Sequence, residues 1–338
     1  MSDPTTTLGG IALCATSWTE ALIDRCTGAA DTAFTPRRII IYPAPFSFHR
    51  ADSLADATRL LARLGPDAKV IAGGQTLIPM MKLRLLKPLQ LVDIGRVAAA
   101  QGLHLSADTL EIGALTTHQA VAKSDEARTF AVLKDCAGGI ADAQVRSLGT
   151  IAGSLAEADP CSCWPTLLIA LDARVRCISP EGERVQSVRE LLKDAYSPAL
   201  GAAELIAAVL IDLVALRGAG AFVAFKRAAA AYPTASCALM FRMQGDRIAH
   251  ANLALGCVGM TPIAVDVQSH VIGAPLTDDV MLRLEDAAEQ AAEPLADNKG
   301  SEAYKRSLVR GLVRRAFRIA TERASGAAVT QPTHTYYG

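Results

Sequence analysis

Long apolar runs, paired cysteines and an excess of either charge are all missing from this sequence. Lysine plus arginine balances aspartate plus glutamate at 34 each, which removes the electrostatic footprint of a nucleic-acid binder or of a protein held on an anionic membrane. The first 35 residues hold Asp3, Glu20, Asp24, Arg25 and Asp31 with no long apolar stretch, and Arg37-Arg38 lead only into Ile39-Ile40-Ile41. Neither a secretory signal nor membrane insertion is expected, and the cytoplasm is the expected compartment. Eight cysteines are present, yet no two form a C-x-x-C pair; the closest are Cys161 and Cys163, and no two of the six histidines stand four apart. Those spacings argue against a protein-bound zinc or iron–sulfur centre and read as free, mostly buried thiols. A G-K-[ST] lysine is absent too, so a bound phosphate would have to be met by other donors.

What is present is a pair of small-residue turns. Ala72-Gly73-Gly74-Gln75-Thr76 follows the apolar run Lys69-Val70-Ile71 and leads into a helix-like segment beginning at Leu77. About 75 residues on comes Gly149-Thr150-Ile151-Ala152-Gly153-Ser154. Backbone amides with no Cβ in the way can close on an anion, and a helix start adds a favourable partial charge. Two such loops predict a ligand with two phosphates, gripped from both sides by main-chain amides and by the hydroxyls of Thr76, Thr150 and Ser154.

At 338 residues and 51% apolar composition, the chain is long enough for two or three domains. Residues 1–38 have weak periodicity and read as a poorly ordered extension. A helix capped by Asp52 or Ser53 carries Leu54, Ala57, Leu60, Leu61 and Leu64 and ends at Gly65-Pro66. Strands at 69–72 and 89–94 enclose the first glycine loop as a β-α-β unit. A second unit, 99–213, alternates strands at 103–105 and 109–113, helices through 117–140, a hairpin at 173–185 and an apolar strand at 204–213. Gly138-Gly139 reads as a helix end, and Thr116-Thr117 as a strand end and helix cap or as ligand contacts. Residues 214–325 predict a separate α+β domain: a three-stranded antiparallel sheet from 221–227, 235–243 and 251–258, with helices near 276–292 and 302–323 packed on one face. Residues 326–338 read as a tail. Arg306, Arg310, Arg314 and Arg318 recur every four residues, as a solvated helix face or a docking surface for an acidic partner would require.

Several collinear segments resemble one family. Pro43-Ala44-Pro45-Phe46, the stretch Ala72–Arg84, Gln144–Ser154, Ala158-Asp159-Pro160, Leu171-Asp172-Ala173 and Ala224-Phe225-Lys226-Arg227 are similar to the FAD-binding medium subunit of molybdenum hydroxylases, the family of the xanthine dehydrogenase and aerobic carbon monoxide dehydrogenase flavoproteins. The resemblance runs from about residue 40 to about residue 322. It implies an α+β, two-subdomain FAD-binding fold of the vanillyl-alcohol-oxidase (PCMH) type over 39–213, with subdomains at about 39–98 and 99–213. It also implies FAD as cofactor, [2Fe–2S] centres in a small partner subunit, molybdopterin in a large one, and a dimer of heterotrimers.

By the same resemblance, Ala72, Gly73, Gly74, Gln75, Thr76 and Leu77 cradle the pyrophosphate and ribityl chain. Thr116, Thr117, Gly149, Thr150, Gly153, Ser154 and Asp159 line the second side. Ile206 and Lys226 fall near the flavin, and Tyr196 beside its ring. Two departures stand out: Ala152 replaces the first of two glycines, and Cys163 stands where the family has a carboxylate that bonds cofactor ribose hydroxyls. Electron transfer through a flavin requires no catalytic acid or base from the chain. A stand-alone FAD enzyme oxidising NAD(P)H and a cofactor-free structural subunit are the alternatives.

Overall fold

The computed structural model describes residues 42–336; the expected N-terminal extension lies outside them. Three sheets organise the chain. The first contains β1 (Ser47–Arg50), β2 (Ala68–Ile71) and β3 (Gln90–Asp93) in the order β1-β3-β2, all parallel. Parallel neighbours need crossovers, and the helix Leu54–Leu64 supplies the first. It starts where the Ser53 hydroxyl accepts from the Asp56 amide at 3.0 Å and stops at Gly65, whose φ of +74° few other residues adopt. Its buried side, Ala57 and Leu61, packs with Ala68, Val92 and Ile94. Strand β1 has no counterpart in the sequence reading, because Ser-Phe-His-Arg shows neither alternation nor burial.

The second sheet is antiparallel, in the order β4-β5-β8-β6-β7, from β4 (Leu103–Leu105), β5 (Thr109–Gly113), β6 (Arg174–Ser179), β7 (Gly182–Ser187) and β8 (Leu205–Asp212). Between β5 and β6 the chain inserts a run of short helices. Among them are His118–Lys123, Ala131–Gly138, Ala143–Leu148, Ile151–Glu157 and Cys163–Ala170. The second glycine turn therefore sits in the middle of a helical layer, packed on the sheet beneath it.

The third sheet has the expected antiparallel centre, β9 (Ala219–Lys226), β10 (Pro233–Gln244) and β11 (Arg247–Gly256), with Gly245 at φ +62° in the β10–β11 turn. Two more strands extend it: β12 (Ile263–Val265) beside β11, and β13 (His334–Tyr336), which runs parallel to β9. Residues read as a tail thus form an edge strand. The two C-terminal helices pack on one face as expected, and the opposite face is covered as well. Ala221, Val223, Leu239 and Leu253 join the core under the helices Asp278–Ala291 and Glu302–Ala324. Their alternates Phe222, Ala224, Ala238 and Ala254 join the core of the preceding helical layer. Strands apolar at odd and even positions alike are strands buried on two sides.

The arginine stripe of the last helix is solvent-exposed at Arg314 and Arg318, and Arg310 and Arg314 are engaged by acidic residues of this chain's own neighbouring helix. Arg314 makes a two-pronged bond to Glu285 at 2.8 and 3.0 Å, and Arg310 reaches Asp286 at 2.6 Å and Glu289 at 2.7 Å. Glu285 is fully buried. Arg306, Arg310 and Arg314 clamp one C-terminal helix to the other. A second ion pair, Asp135 with Arg323 at 2.6 and 2.9 Å, ties the helical layer to the C-terminal domain.

Candidate functional site

The two glycine turns meet. A Cβ on Gly73 would stand 2.0 Å from the Leu148 carbonyl oxygen and 3.0 Å from the Gly149 Cα, so the first loop lies flat against the start of the second. Gly74 adopts φ +68°, which turns the chain sharply between β2 and the helix Leu77–Lys82. The Gln75 side chain folds back to donate to the Gly73 carbonyl at 3.0 Å, and the Ile78 amide donates to the Gly74 carbonyl at 3.0 Å. With the carbonyls used this way, the amides of Gly73, Gly74, Gln75 and Thr76 make no hydrogen bond among the described residues. Thr76 stands at the helix start without capping it, which leaves its hydroxyl free as well. All four residues are half-buried. Main-chain donors partly withdrawn from water and left unpaired call for a ligand acceptor.

The second turn is built differently from the sequence expectation. Most of its amides are engaged within the fold: Gly149 to the Val145 carbonyl at 2.7 Å, Ile151 to Thr116 at 3.1 Å, Ala152 to Ala114 at 3.2 Å and Ser154 to Thr150 at 3.2 Å. The Gly153 amide is capped by the Thr150 hydroxyl at 3.1 Å. Bridging to the strand end at 114–116 and capping consume the donors that the helix start would otherwise offer. This turn presents no ring of free amides. It offers the exposed Gly153 surface and the half-buried Ser154 hydroxyl, which bonds to no described residue. Ala152 is buried in the core, so the methyl group that replaces a hydrogen there packs inward.

Beneath the second turn sits a pair the sequence reading passed over. Trp164 Nε1 donates to His118 Nδ1 at 3.0 Å, both rings being buried. Burial pushes His118 down to about 4, helped by the nearby Arg146 guanidinium, so the neutral ring accepts at Nδ1 and carries its proton on Nε2. A Cβ on Gly149 would come within 2.9 Å of that Nε2, which is why this position needs glycine. Arg146 donates to the carbonyls of Ile140 and Ala141, both at 2.9 Å, and so anchors the helix leading into the turn. The signal for the pair lay in Thr117 capping a helix that starts with histidine, but 46 residues separate the ring from its indole partner.

The remaining candidates divide by environment. Thr117 faces Thr150 across an isolated bridge and caps its helix through the Ala120 amide at 3.1 Å. Thr116 is buried, and its hydroxyl both donates to and accepts from Gly102 at 2.9 Å. Asp159 follows Ala158, whose φ of +52° ends the helix Ile151–Glu157. Its carboxylate accepts from the Cys161 amide at 2.8 Å, the Tyr196 amide donates to the adjoining Ala158 carbonyl at 2.9 Å, and burial raises the Asp159 pKa. Glu157 is raised to about 7, first by burial and then by Asp159. Ile206 lies in the core within β8, and Lys226 is fully buried, donating to the Gly139 carbonyl. Cys163 is likewise buried, and burial lifts its thiol to about 11. Thr116, Ala152, Ile206 and Lys226 therefore sit inside the wall, while Gly73–Thr76, Thr117, Gly153, Ser154, Asp159 and Tyr196 reach its surface.

The donor set fits a dianionic, two-phosphate ligand: four unpaired amides and two free hydroxyls over a braced glycine floor. Comparison with known proteins bears on what that ligand is. Residues 44–212 match the family described as the FAD binding domain in molybdopterin dehydrogenase, and residues 220–320 match the CO dehydrogenase flavoprotein C-terminal domain. The carbon monoxide dehydrogenase medium chain of Afipia carboxidovorans is 34% identical over 284 residues, covering 83% of this chain and 99% of the relative. The glyceraldehyde dehydrogenase medium chain of Sulfolobus acidocaldarius is 32% identical, covering 82% and 99%. Among solved structures, carbon monoxide dehydrogenase from Hydrogenophaga pseudoflava superposes with a TM-score of 0.80 at 32% identity, over 83% of this chain and 99% of that one.

Proposed function

This chain belongs to the FAD-binding medium subunits of the molybdenum hydroxylases, and on that premise we propose that it relays electrons from [2Fe–2S] centres of a small partner subunit, through FAD, to an external acceptor. In this reading a large molybdopterin subunit oxidises the substrate, and the assembly is a dimer of heterotrimers. The observation that carries it is the half-buried row of unpaired amides at Gly73–Thr76, which suits the cofactor's diphosphate.

FAD, when bound, supplies the redox chemistry by taking up and releasing electrons. This chain's residues supply position. The amides of residues 73–76 and the Thr76 hydroxyl hold the diphosphate, and Ala72 and Leu77 flank that cradle. Gly149 and Thr150 hold the second turn against it. Gly153 gives a surface without a side chain for close approach, the Ser154 hydroxyl adds a donor, and Asp159 accepts from cofactor hydroxyls while the adjoining Ala158 carbonyl holds Tyr196 beside the ring. Thr116, Ala152, Ile206 and Lys226 act from behind, by locking the strands and helices that carry these groups, and Thr117 reaches the surface beside the second turn while capping its own helix.

The test is to isolate the protein with its natural companions and record its absorbance. Bands near about 370 and about 450 nm, lost on removal of the cofactor, are expected of bound flavin. A colourless complex would refute cofactor binding. Full-rate oxidation of NAD(P)H by the chain alone would refute the relay and point to a stand-alone oxidoreductase.

A further inference from the structure

Beside Asp159 lies a pair of sulfur atoms for which the relay has no use. Cys161 belongs to the FAD-binding segment, and Cys257 follows β11 in the C-terminal domain. The Cys257 amide donates to the Pro160 carbonyl at 3.1 Å, which fixes the two segments side by side and sets Cys257 against the residue that precedes Cys161. Lys299 Nζ donates to that same sulfur at 3.5 Å and to the Pro233 carbonyl at 3.1 Å.

A sulfur that receives an ammonium group at hydrogen-bond distance is stabilised as thiolate. The two thiols are driven apart: Cys161 is lowered, chiefly by the neighbouring Cys257 thiol and also by Lys299, while burial pushes Cys257 up. One is a nucleophile and the other its proton-bearing neighbour. Cys161 is partly exposed, and its partner Lys299 lines an open recess of about 500 Å³ together with Arg227 and Asp297, whereas Cys257 is buried. Among the described residues no group of three or more His, Cys, Asp or Glu is arranged to hold a metal.

We propose that Cys161 and Cys257 are a hydroperoxide-responsive dithiol that closes into a disulfide between the FAD-binding segment and the C-terminal domain. The Cys161 thiolate attacks one oxygen of the peroxide, the O–O bond breaks, and hydrogen peroxide leaves a sulfenic acid on Cys161 and hydroxide. The Cys257 sulfur then attacks the Cys161 sulfur; the S–O bond breaks, the Cys257 proton goes to the departing oxygen, and water leaves. Two electrons pass from the sulfur pair to the peroxide, and a two-electron thiol reductant reverses the change. The site stands whether or not the relay reading is correct, because it needs no flavin.

The experiment treats the isolated full chain with one equivalent of hydrogen peroxide, alkylates remaining thiols and maps peptides without reduction. The expected result is a Cys161–Cys257 cross-link that dithiothreitol removes. Cys257→Ser should halt the reaction at a sulfenic acid on Cys161 that dimedone captures, and Cys161→Ser should leave Cys257 reduced. Lys299→Met should slow alkylation of Cys161 by about tenfold, as expected for a thiol that has lost its ammonium partner, and Lys299→Arg should restore it. Oxidation of Cys161 no faster than of the fully buried Cys237, a cross-link from Cys161 to Cys163, or an unchanged alkylation rate in Lys299→Met beside folded Lys299→Arg would each overturn the proposal.

Discussion

Replacing His118 with glutamine tests the support of the second turn through its pH dependence. In the unfolded chain an imidazole titrates at 6.5; in the fold burial and Arg146 lower this one to about 4. A depressed pKa means a contribution fully present above pH 6.5 and lost as pH falls toward 4, because only the unfolded state takes up the proton cheaply. Working the two values through, this ring costs the fold about 2 kcal/mol on going from pH 8 to pH 5. Against a total stability of about 5–15 kcal/mol, that is a measurable share.

His334 is lowered to about 4 in the same sense, by burial and then Lys226, whereas Glu157, raised to about 7, acts oppositely and favours the fold at low pH. The quantity to read is therefore the difference between wild type and variant, in which those terms cancel. Glutamine keeps an oxygen acceptor for the Trp164 Nε1 proton, so the variant should lose about 1 kcal/mol or less at pH 8. Urea unfolding followed by far-ultraviolet circular dichroism at pH 8 and pH 5 should show wild type losing about 2 kcal/mol more than the variant. Parallel pH profiles would refute the assignment of a neutral, buried ring beneath Gly149.

Gly73→Ala should part the two turns, since its Cβ would sit 2.0 Å from the Leu148 oxygen; flavin titration of the apoprotein should show affinity falling by about a hundredfold or more, roughly 2.7 kcal/mol. Gly153→Ala meets only the Thr150 hydroxyl, at 2.9 Å, so its melting temperature should stay near wild type while flavin affinity falls by about tenfold. Equal loss of stability in both would show that neither reports on the cofactor. Glu157→Gln removes a carboxyl that ionises around pH 7; wild-type flavin affinity should weaken about threefold to tenfold between pH 6 and pH 8 while the variant stays flat. A pH dependence shared by the two would exclude Glu157 as its source.

How far the sequence could be read depended on whether local chemistry was enough. Ser53, Gly65 and Gly245 punctuate the chain through their own side chains or lack of one, and the elements they bound begin and end there. The first glycine loop was legible because its donors are left free by its own geometry. The second was misread because what its amides bond to, Ala114 and Thr116, lies more than 30 residues upstream. Glu285 explains the arginine stripe only once two helices are side by side, and Trp164 explains His118 only after folding joins them. Strand β1 carries no pattern of its own and exists because β3 accepts it.

The short strand His334–Tyr336 has a consequence for the molecule's sociability. By pairing with Ala224–Lys226 it occupies the outer main-chain groups of β9, and it sets the His334 ring in the space a Gly139 side chain would fill. An open strand edge is a template on which a foreign strand can add. Here residues 334–336 of the same chain take that place, so removing them would leave both a sticky border and a hollow behind it.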